Sequence, residues 1–484
     1  MSDSVEHFPL LITGVPSSDG ILELHAPYDQ TLLATLDSAD AAAIELALSN
    51  AHALFRNRDN WIPVSERIEI LKRLIHLMQN QSELLAQEAA AEGGKPLLDS
   101  RVEVARAIDG IQICIDTLRT DAGRIIPMGV NAASAHRLAY TAHEPIGIVI
   151  AISAFNHPLN LIVHQVAPAV ATGCPVIVKP AHDTPRSCMR FVNMLYEAGL
   201  PQSWCQALVT LDLAVAEKLV TDPRIGFFSF IGSSRVGWML RSKLAPGVRC
   251  ALEHGGVAPV IIGADADIDA AVPALAKGGL YHAGQVCVSV QRIFVHESIV
   301  ETVAAQFATV GAAMLIGDPL ESDTEIGPLI RVGEIDRIDT WVQAAIGEGA
   351  SCLSGAKRLG KSCYTATVLL DPSVNSLVSK QEIFGPVICV YRYDDVDEAI
   401  RQANALPFIF QAAVWTRDLE FALRTSQRLD AAAVMVNDHT AFRVDWMPFA
   451  GLRQSGYGVG GISSTMHDMQ IEKMTVIHSK NLLS

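Results

Sequence analysis

The sequence has few charged and few aromatic side chains. Of its 484 residues, 18% are charged and 6% are aromatic, whereas 50% are hydrophobic. An apolar fraction of this size supplies a large core and excludes a disordered chain. The formal net charge of −15 repels polyanions and no Lys/Arg run offsets it, so nucleic acid and acidic membrane surfaces are excluded as partners. At roughly 150 residues per domain, the length predicts about three structural units.

Signals for disulfides, metals and membrane insertion are also missing. The nine cysteines are an odd number without a C-x-x-C pair, and the histidines show no metal-ligand spacing, so we predict no metal site and no disulfide framework. The start, MSDSVEHFPLL, lacks the basic and apolar regions of a secretory signal. The most apolar stretch, 145–155, is far shorter than the ~20 residues that cross a bilayer. These absences favour a cytoplasmic protein with no membrane partner.

Short apolar runs alternate with helical segments after a helical first quarter of the chain. The runs that read as buried strands are 147–153, 175–179, 205–210, 226–230 and 249–252. Strands alternating with helices predict a parallel, doubly wound α/β sheet, which binds ligands at the carboxyl ends of its strands where the strand order reverses. A second α/β set spans about 259–449, and the last residues predict an edge strand.

The segment from Gly355 to Ser362 fits the phosphate-binding consensus G-x-x-x-x-G-K-[ST]. That loop needs a hydrophobic strand before it and a helix after it, so that backbone N–H groups face the phosphates. The preceding EGASCLS is a poor strand, and the following CYTATVLLDPS is β-branched and ends in proline. We therefore interpret the match as a basic surface turn between strands.

Two glycine-containing turns follow predicted strands and carry polar side chains. After strand 226–230, Gly232 and Ser233 open a helix, where close backbone approach and a hydroxyl favour a phosphate. After strand 249–252, Glu253 lies shortly before a pair of glycines at positions 255 and 256. Such turns are also common in ordinary packing, so each indicates a binding site only in combination with other evidence.

One cysteine, Cys287, lies in the glycine-containing segment GQVCV, 34 residues after Glu253. An isolated cysteine is usually a small buried hydrophobe. A glycine-rich approach to one thiol, combined with a carboxylate at a strand end, fits covalent chemistry better. A cysteine nucleophile needs a thiolate, and a second group must activate the water that releases an acyl intermediate.

These motifs and several others follow one another along the chain in the order typical of one family. On that basis the chain resembles the aldehyde dehydrogenase superfamily over nearly its whole length. The other motifs are Asn156, Ile177-Val178-Lys179-Pro180-Ala181, Glu382-Ile383-Phe384-Gly385-Pro386 and Pro448-Phe449-Ala450-Gly451. The resemblance implies an NAD(P)-dependent, non-acylating enzyme. The segment 437–451 is similar to relatives acting on small oxygenated or phosphonate-bearing aldehydes such as lactaldehyde and phosphonoacetaldehyde.

The resemblance also implies three structural parts. We expect a doubly wound, Rossmann-like cofactor domain from 1–123 and 145–254, and an α/β catalytic domain from 255–455. A small β oligomerisation bridge is expected from 124–144 together with the tail, 456–484. In relatives this bridge pairs subunits by sheet extension, which covers strand edges. A homodimer or homotetramer is therefore expected.

The family implies the following catalytic roles. The Cys287 thiolate attacks the aldehyde, and the Asn156 amide and the Cys287 backbone N–H hold the developing alkoxide. Hydride leaves for the nicotinamide, which gives a thioester, and Glu253 is the base for the water that hydrolyses it. A glutamate that is sometimes proposed as a second base in relatives is Gly460 here, so Glu253 is expected to be the sole base.

For the cofactor, the resemblance implies either NAD or NADP. Lys179 is expected at the adenosine ribose, Ser233 at the pyrophosphate, and Glu382 at the nicotinamide ribose. The remaining expected cofactor contacts are Ser153, Phe155, His182, Gly232 and Phe384. Many NAD-preferring relatives carry a glutamate at the position of His182. A carboxylate there repels a 2′-phosphate and a histidine does not, so NADP is allowed.

The expected substrate pocket is unusually polar. His157 and Asn160 follow Asn156 closely, and relatives often carry an aromatic residue in place of His157. Arg443 lies on a loop that lines the channel mouth in relatives, and Arg106 lies on a helix that faces the same channel. We therefore predict a small polar or anionic aldehyde as substrate. The alternative for Arg443 is an ordinary surface ion pair with Asp445.

Two other functions remain open at this point. A CoA-acylating semialdehyde dehydrogenase passes the acyl group to a thiol rather than to water, and Glu253 argues against it. A catalytically silent family member serves as a structural protein, and the retention of Asn156, Glu253 and Cys287 argues against that.

Overall fold

The computed structural model describes residues 5–16 and 20–482 of the chain. Residues 1–4, 17–19, 483 and 484 lie outside it, and with them the start of the expected cofactor segment and the end of the expected tail. Three strands and four helices come first, in the order β1 (Glu6–Phe8), β2 (Ile21–His25), β3 (Leu32–Asp37), α1 (Ala41–Arg56), α2 (Val64–Asn80), α3 (Ser82–Gly93) and α4 (Leu97–Thr120). Lys95 lies in the short link between α3 and α4.

A parallel sheet follows the strands β4 (Ile125–Ile126) and β5 (Arg137–Pro145). Its elements are β6 (Ile148–Ile152), α5 (Asn160–Thr172), β7 (Val176–Lys179), α6 (Arg186–Glu197), β8 (Cys205–Ala207), α7 (Leu213–Thr221), β9 (Ile225–Ile231), α8 (Ser234–Arg241) and β10 (Arg249–Glu253). The strand order β10-β9-β6-β7-β8 reverses between β6 and β9. The five predicted strands and the doubly wound α/β class are confirmed.

Both faces of this sheet are covered by helices, because alternate residues of a strand point to opposite sides. On β6, Val149 and Ala151 join a core that includes residues of α2, α5 and α6. Ile148 and Ile150 join another core that includes residues of α1 and α7. Burial on both sides explains why these strands read as continuous apolar runs.

A second sheet is built from the next part of the chain. Its segment contains β11 (Pro259–Ile262), α9 (Ile268–Leu280), β12 (Arg292–His296), α10 (Val300–Ala313), α11 (Val332–Gly347), β13 (Ser351–Ser354), β14 (Arg358–Leu359), β15 (Cys363–Tyr364), β16 (Thr367–Leu370), α12 (Leu377–Lys380), β17 (Val387–Tyr393), α13 (Val396–Ala403), β18 (Phe408–Ile409), β19 (Gln411–Trp415), α14 (Leu419–Arg428) and β20 (Ala433–Val436). Seven of these strands pair in the order β13-β16-β17-β12-β11-β19-β20. Only β13 pairs antiparallel in this sheet.

The last elements tie the parts together. They are β21 (Leu452–Arg453), β22 (Gly456–Tyr457), α15 (Ile462–Asp468) and β23 (Gln470–His478). β22 adds to the first parallel sheet as an antiparallel partner of β10. β23 pairs with β5 along its whole length, and β4 pairs with the other side of β5. Within the described residues, β23 is an edge strand of this three-stranded sheet, as the sequence predicted.

In the described part of the chain, five helices begin at an aspartate whose carboxylate accepts a hydrogen bond from a backbone N–H of the first turn. Such a cap satisfies a donor that the helix itself leaves unpaired. The capping residues are Asp40, Asp212, Asp267, Asp395 and Asp418. None of the described helices is both long and apolar enough to cross a bilayer.

The Gly355–Ser362 segment forms a β-hairpin rather than a phosphate loop. It contains the two-residue strand β14 and turns back into β15. No helix follows within the hairpin, and Arg358 forms ion pairs with Asp336 and Asp339 of α11. The interpretation as a surface turn is confirmed.

Candidate active site

A cavity of about 770 Å³ lies at the carboxyl edge of the first parallel sheet. The ends of β6, β9 and β10 meet there, on both sides of the point where the strand order reverses. The segment after α9 reaches the same cavity and contributes Cys287. The predicted site residues in its lining are Arg106, Ser153, Phe155, Asn156, His157, Asn160, Gly232, Ser233, Glu253, Cys287, Glu382, Phe384 and Arg443. Lys179 and His182 are outside the lining, at and just beyond the end of β7.

Cys287 and Asn156 are held together through Gln285. The Asn156 side-chain amide donates to the Gln285 carbonyl at 2.9 Å, two residues before the thiol. The Gln285 side chain is itself fixed, because its amide donates to the Pro328 carbonyl and its oxygen accepts from the Ile330 N–H. An amide nitrogen carries two N–H donors. One donor of Asn156 is therefore used in positioning, and the second is free for a ligand.

The resting thiol of Cys287 is neutral. Burial raises its pKa to about 12, and the nearby carboxyl groups of Glu382 and Glu253 act in the same direction, whereas Arg443 opposes them. This environment is opposite to the thiolate that a nucleophile requires. The proton must therefore leave to a base when the site reacts.

Glu253, at the end of β10, is a half-buried carboxyl group that lines the cavity together with Cys287. Burial raises its pKa, and the Arg443 guanidinium partly opposes that rise. Its carboxylate occupies space that a side chain at position 460 would need, since a Cβ on Gly460 would overlap the Glu253 Oε1. The glycine that replaces the second glutamate of relatives thus provides room for the first.

Glu382 packs against the glycine pair that follows Glu253. The Gly256 N–H donates to its carboxyl oxygen at 3.2 Å, and a Cβ on Gly255 would overlap that carboxyl group. Burial raises the pKa of Glu382 to about 8. The ring of Phe384 meets that of Phe155 edge-on, with centroids 5.8 Å apart. These contacts explain the paired glycines of the sequence.

The residues present fit a nicotinamide dinucleotide. Ser233 is exposed at the start of α8 and its hydroxyl makes no capping hydrogen bond, so it is free to bind a phosphate there. The buried hydroxyl of Ser153, in the cavity lining, has no hydrogen-bond partner. Lys179 donates only to the Pro180 carbonyl, and burial lowers its pKa to about 8. His182 donates to the Thr210 carbonyl at 2.6 Å.

A buried carboxylate organises the far end of the cavity. Asp445 accepts two hydrogen bonds from Arg106, at 2.7 and 3.0 Å, and one from His164 at 2.8 Å. These partners hold its pKa far below the usual range despite its burial. Arg443 lies farther away, with 3.6 Å between its Nε and Asp445. The predicted Arg443–Asp445 pair therefore exists, but it is buried and it is the longest contact of the group.

Arg443 is only partly satisfied within the protein. Its guanidinium stacks 3.6 Å from the centroid of Phe449, and its Nη1 is buried without a hydrogen-bond partner. Asn160 also has a buried, unpaired side-chain oxygen beside the cavity. Two guanidinium groups face the Asp445 carboxylate here and Arg443 also interacts with Glu253, so the group left open for a ligand is the unpaired Nη1 of Arg443. Such a site favours an anionic ligand.

Two residues behind the cavity were missed from the sequence. Lys95 and Glu103 form an ion pair whose side chains are both 1% exposed. The Lys95 ammonium also lies 2.6 Å from the Nδ1 of His157. The only signal was a lysine between two glycines and a proline, a pattern typical of a helix end. No spacing in the sequence connects that lysine to the cavity.

Comparisons with known proteins agree with this geometry. A family model, that of the aldehyde dehydrogenase family, matches residues 15–475. The 3-sulfolactaldehyde dehydrogenase of Priestia aryabhattai is 34% identical over 458 residues, which cover 94% of this chain and 95% of the relative. Aldehyde dehydrogenase 21 of Physcomitrella patens, solved with the reaction product succinate, superposes with a TM-score of 0.94 at 31% identity and covers 99% of this chain and 100% of its own. A glyceraldehyde-3-phosphate dehydrogenase of Methanocaldococcus jannaschii, solved with NADP, superposes with a TM-score of 0.90 at 32% identity. The superposition covers 96% of this chain and 100% of that structure's chain.

Proposed function

This chain belongs to the aldehyde dehydrogenase family, and from that membership we propose that it oxidises a small aldehyde carrying an acid group, with Cys287, Asn156 and Glu253 as the reacting groups. The observation that carries the proposal is the meeting of these three side chains in one cavity at the strand-order reversal. The product is the corresponding carboxylic acid. NAD or NADP is the cofactor.

The first step is addition of the Cys287 sulfur to the aldehyde carbon. Since the resting thiol is neutral, its proton passes to solvent water as the carbon–sulfur bond forms, and Glu253 is assigned to the later hydrolysis. The free N–H of the Asn156 amide and the backbone N–H of Cys287 stabilise the alkoxide of the thiohemiacetal. One preorganised donor of this kind is worth about 3–4 kcal/mol in the transition state.

A nicotinamide held beside Glu382 and Phe384 would supply the acceptor for the hydride of the carbon attached to Cys287. The Cys287 thioester that remains is hydrolysed by water. Glu253 removes the proton of that water, and its raised pKa brings its basicity closer to neutral pH than that of an exposed carboxylate. The acid leaves and the thiol is restored.

Both cofactors fit the adenosine end of the site. Lys179 and His182 present a cationic and a neutral side chain there, with Arg331 nearby but paired with Asp183. His182 repels no 2′-phosphate, so we propose that the enzyme accepts NADP as well as NAD. Dinucleotide binding is supported by three groups together: the free hydroxyl of Ser233 at the start of α8, the ammonium of Lys179 and the carboxyl group of Glu382.

The reaction is tested with a panel of small aldehydes, half of them anionic, assayed with NAD and with NADP. We expect reduced nicotinamide to form in the absence of CoA, fastest with anionic aldehydes. A rate that requires CoA supports the acylating alternative. A protein that binds cofactor but oxidises no aldehyde of the panel overturns the proposed function and supports a silent family member.

Replacing Arg443 with alanine is expected to lower kcat/KM for succinic semialdehyde by about 10–100-fold more than for butanal, because a charge-assisted hydrogen bond contributes about 1.5–3 kcal/mol. The measurement is the ratio of kcat/KM for the two aldehydes. Arg453→Ala, which removes an exposed arginine paired with Asp430, is the matched control. Equal losses for both aldehydes in Arg443→Ala contradict charge recognition.

We further propose a homodimer or homotetramer, assembled through the sheet of β4, β5 and β23. The side of β23 that faces away from β5 has no strand partner among the described residues. Apolar residues on these strands are also exposed, including Leu138, Tyr140 and Val476. Unpaired edges with exposed apolar groups are usually covered by a partner.

All nine cysteines are free, which supports a reducing, cytoplasmic location.

A further inference from the structure

Behind the segment that carries Asn156 lies an ion pair that the mechanism above does not use. Lys95 comes from the link between α3 and α4, and Glu103 comes from the second turn of α4. Both side chains are almost fully buried. Burying two charges costs free energy that their mutual attraction offsets only when further hydrogen bonds satisfy them. The further partners of this pair therefore indicate what it holds.

Glu103 holds the chain that follows Asn156. One of its carboxylate oxygens pairs with Lys95, and the other accepts the backbone N–H groups of Leu159 and Asn160, each at 2.9 Å. These donors lie at the start of α5, where a helix leaves N–H groups unpaired. Glu103 thereby fixes the helix start and Leu159, the residue before it.

Lys95 holds the ring of His157. Its ammonium lies 2.6 Å from Nδ1 of that ring. An ammonium group has three donors and no acceptor, so Nδ1 accepts and the proton of a neutral imidazole is on Nε2. The ring lines the cavity and is 15% exposed, whereas the ammonium behind it is 1% exposed. The remaining polar atom of the ring, Nε2, is therefore a donor available to the cavity.

The charges around His157 keep this ring neutral. Burial lowers its pKa well below the usual value, and the charge of Lys95, the neighbouring His282 and the guanidinium groups of Arg106 and Arg443 act in the same direction. Glu103 lies 3.9 Å from Nδ1 and favours the charged ring, but that carboxylate is already paired with Lys95. The ring of His282 meets His157 edge-on, with centroids 6.2 Å apart.

We propose that Lys95 is a positioning residue that holds His157 in its Nε2–H form, so that the pocket presents a fixed hydrogen-bond donor to an oxygen close to the aldehyde carbon. Because His157 and Asn156 both line this cavity, the ring and the amide that binds the alkoxide face the same ligand. This donor would recognise a hydroxyl on the carbon next to the aldehyde, in addition to the acid group that Arg443 is proposed to bind. This inference rests on the proposed function, since it concerns how the same pocket selects its aldehyde.

The kinetic test compares 2-hydroxypropanal with propanal, which differ by one hydroxyl. We expect the kcat/KM of wild type to be higher for the hydroxylated aldehyde. The ratio of the two kcat/KM values should fall about tenfold in Lys95→Met, mainly through a change in KM. Lys72→Met, an exposed lysine paired with Glu69, is the matched control.

Two further sets of variants keep the test decisive if Lys95→Met does not fold. Lys95→Met/Glu103→Gln removes both charges, so that no unpaired carboxylate is left buried. His157→Gln keeps an N–H donor near the position of Nε2, whereas His157→Leu removes it, and neither variant touches the ion pair. We expect the glutamine variant to retain more of the preference than the leucine variant. Equal preference in these two variants, or an unchanged preference in a folded Lys95 variant, overturns the inference.

A spectroscopic readout separates this inference from the proposed function. In protein labelled with ¹⁵N-histidine, the His157 signals are assigned by their loss in His157→Gln. We expect a neutral ring with its proton on Nε2 in wild type, and a mixture of forms in Lys95→Met. A cationic ring or an Nδ1–H ring in wild type overturns the inference even if the enzyme is active. Wild type with the expected ring but no activity on any aldehyde overturns the proposed function instead.

Discussion

Replacing Glu253 with glutamine is expected to leave about one turnover per subunit and to slow later turnovers by about 10²–10⁴-fold. Glutamine keeps the size of the side chain but accepts no proton from water. The acyl group therefore accumulates on Cys287 as a thioester. The measurement is a burst of reduced nicotinamide followed by a slow steady rate, recorded under saturating aldehyde.

The trapped acyl group gives a direct check on this interpretation. Hydroxylamine attacks thioesters without a protein base, so it should raise the steady rate of Glu253→Gln and release a hydroxamate. Glu297→Gln, a change at an exposed glutamate, is the control for the loss of one negative charge. A steady rate of Glu253→Gln within tenfold of wild type contradicts the role of Glu253 as base.

The same base predicts how the wild-type rate depends on pH. Burial raises the pKa of Glu253, so the carboxylate becomes protonated at a higher pH than an exposed glutamate does. The steady rate should therefore fall as the pH is lowered through that raised value. Glu253→Gln should lose this acid limb, because glutamine does not titrate.

Replacing Cys287 with alanine is expected to lower the dehydrogenase rate by at least about 10⁴-fold, because every covalent step begins at its sulfur. The variant should still bind NAD or NADP, since the Ser233, Lys179 and Glu382 side chains are unchanged. Titration of cofactor fluorescence measures binding separately from turnover. No burst of reduced nicotinamide should be seen.

The exposed cysteine offers a matched control for this change. Cys352 lies on the edge strand β13, and its replacement by alanine should leave the rate near wild type. Alkylation of wild type should inactivate the enzyme in proportion to modification of Cys287 and not of Cys352. Residual activity above about 1% in Cys287→Ala contradicts the assignment of the nucleophile.

The sequence predicted what is local along the chain. Buried strands were readable because burial on both faces requires continuous apolar runs, as in β6. Glu253, with its pair of glycines, and Cys287, with its glycine-rich approach, were recognisable because close packing restricts their neighbours in the chain. These same restrictions make the family motifs specific.

Contacts between distant parts of the chain were not predictable in the same way. The hydrogen bonds from Arg106 to Asp445 join residues 339 positions apart, and that from Lys95 to His157 joins residues 62 positions apart. The first depends on how the segment after β20 packs against α4, and the second on how the chain before α5 packs against the link before α4; no local pattern specifies either contact. Arg106 and Arg443 were each expected in the channel, but their shared use of Asp445 appears only in the fold. The expected domain boundaries and residue roles stay predictions.

The neutral thiol of Cys287 also bears on how long the enzyme survives under oxidative stress. Peroxides react with thiolates far faster than with thiols, and the first product, a sulfenic acid, ends catalysis until it is reduced. With its pKa at about 12, the sulfur is protected between turnovers and becomes vulnerable only while a base holds its proton. An idle population of this enzyme should therefore outlast a working one in the presence of hydrogen peroxide.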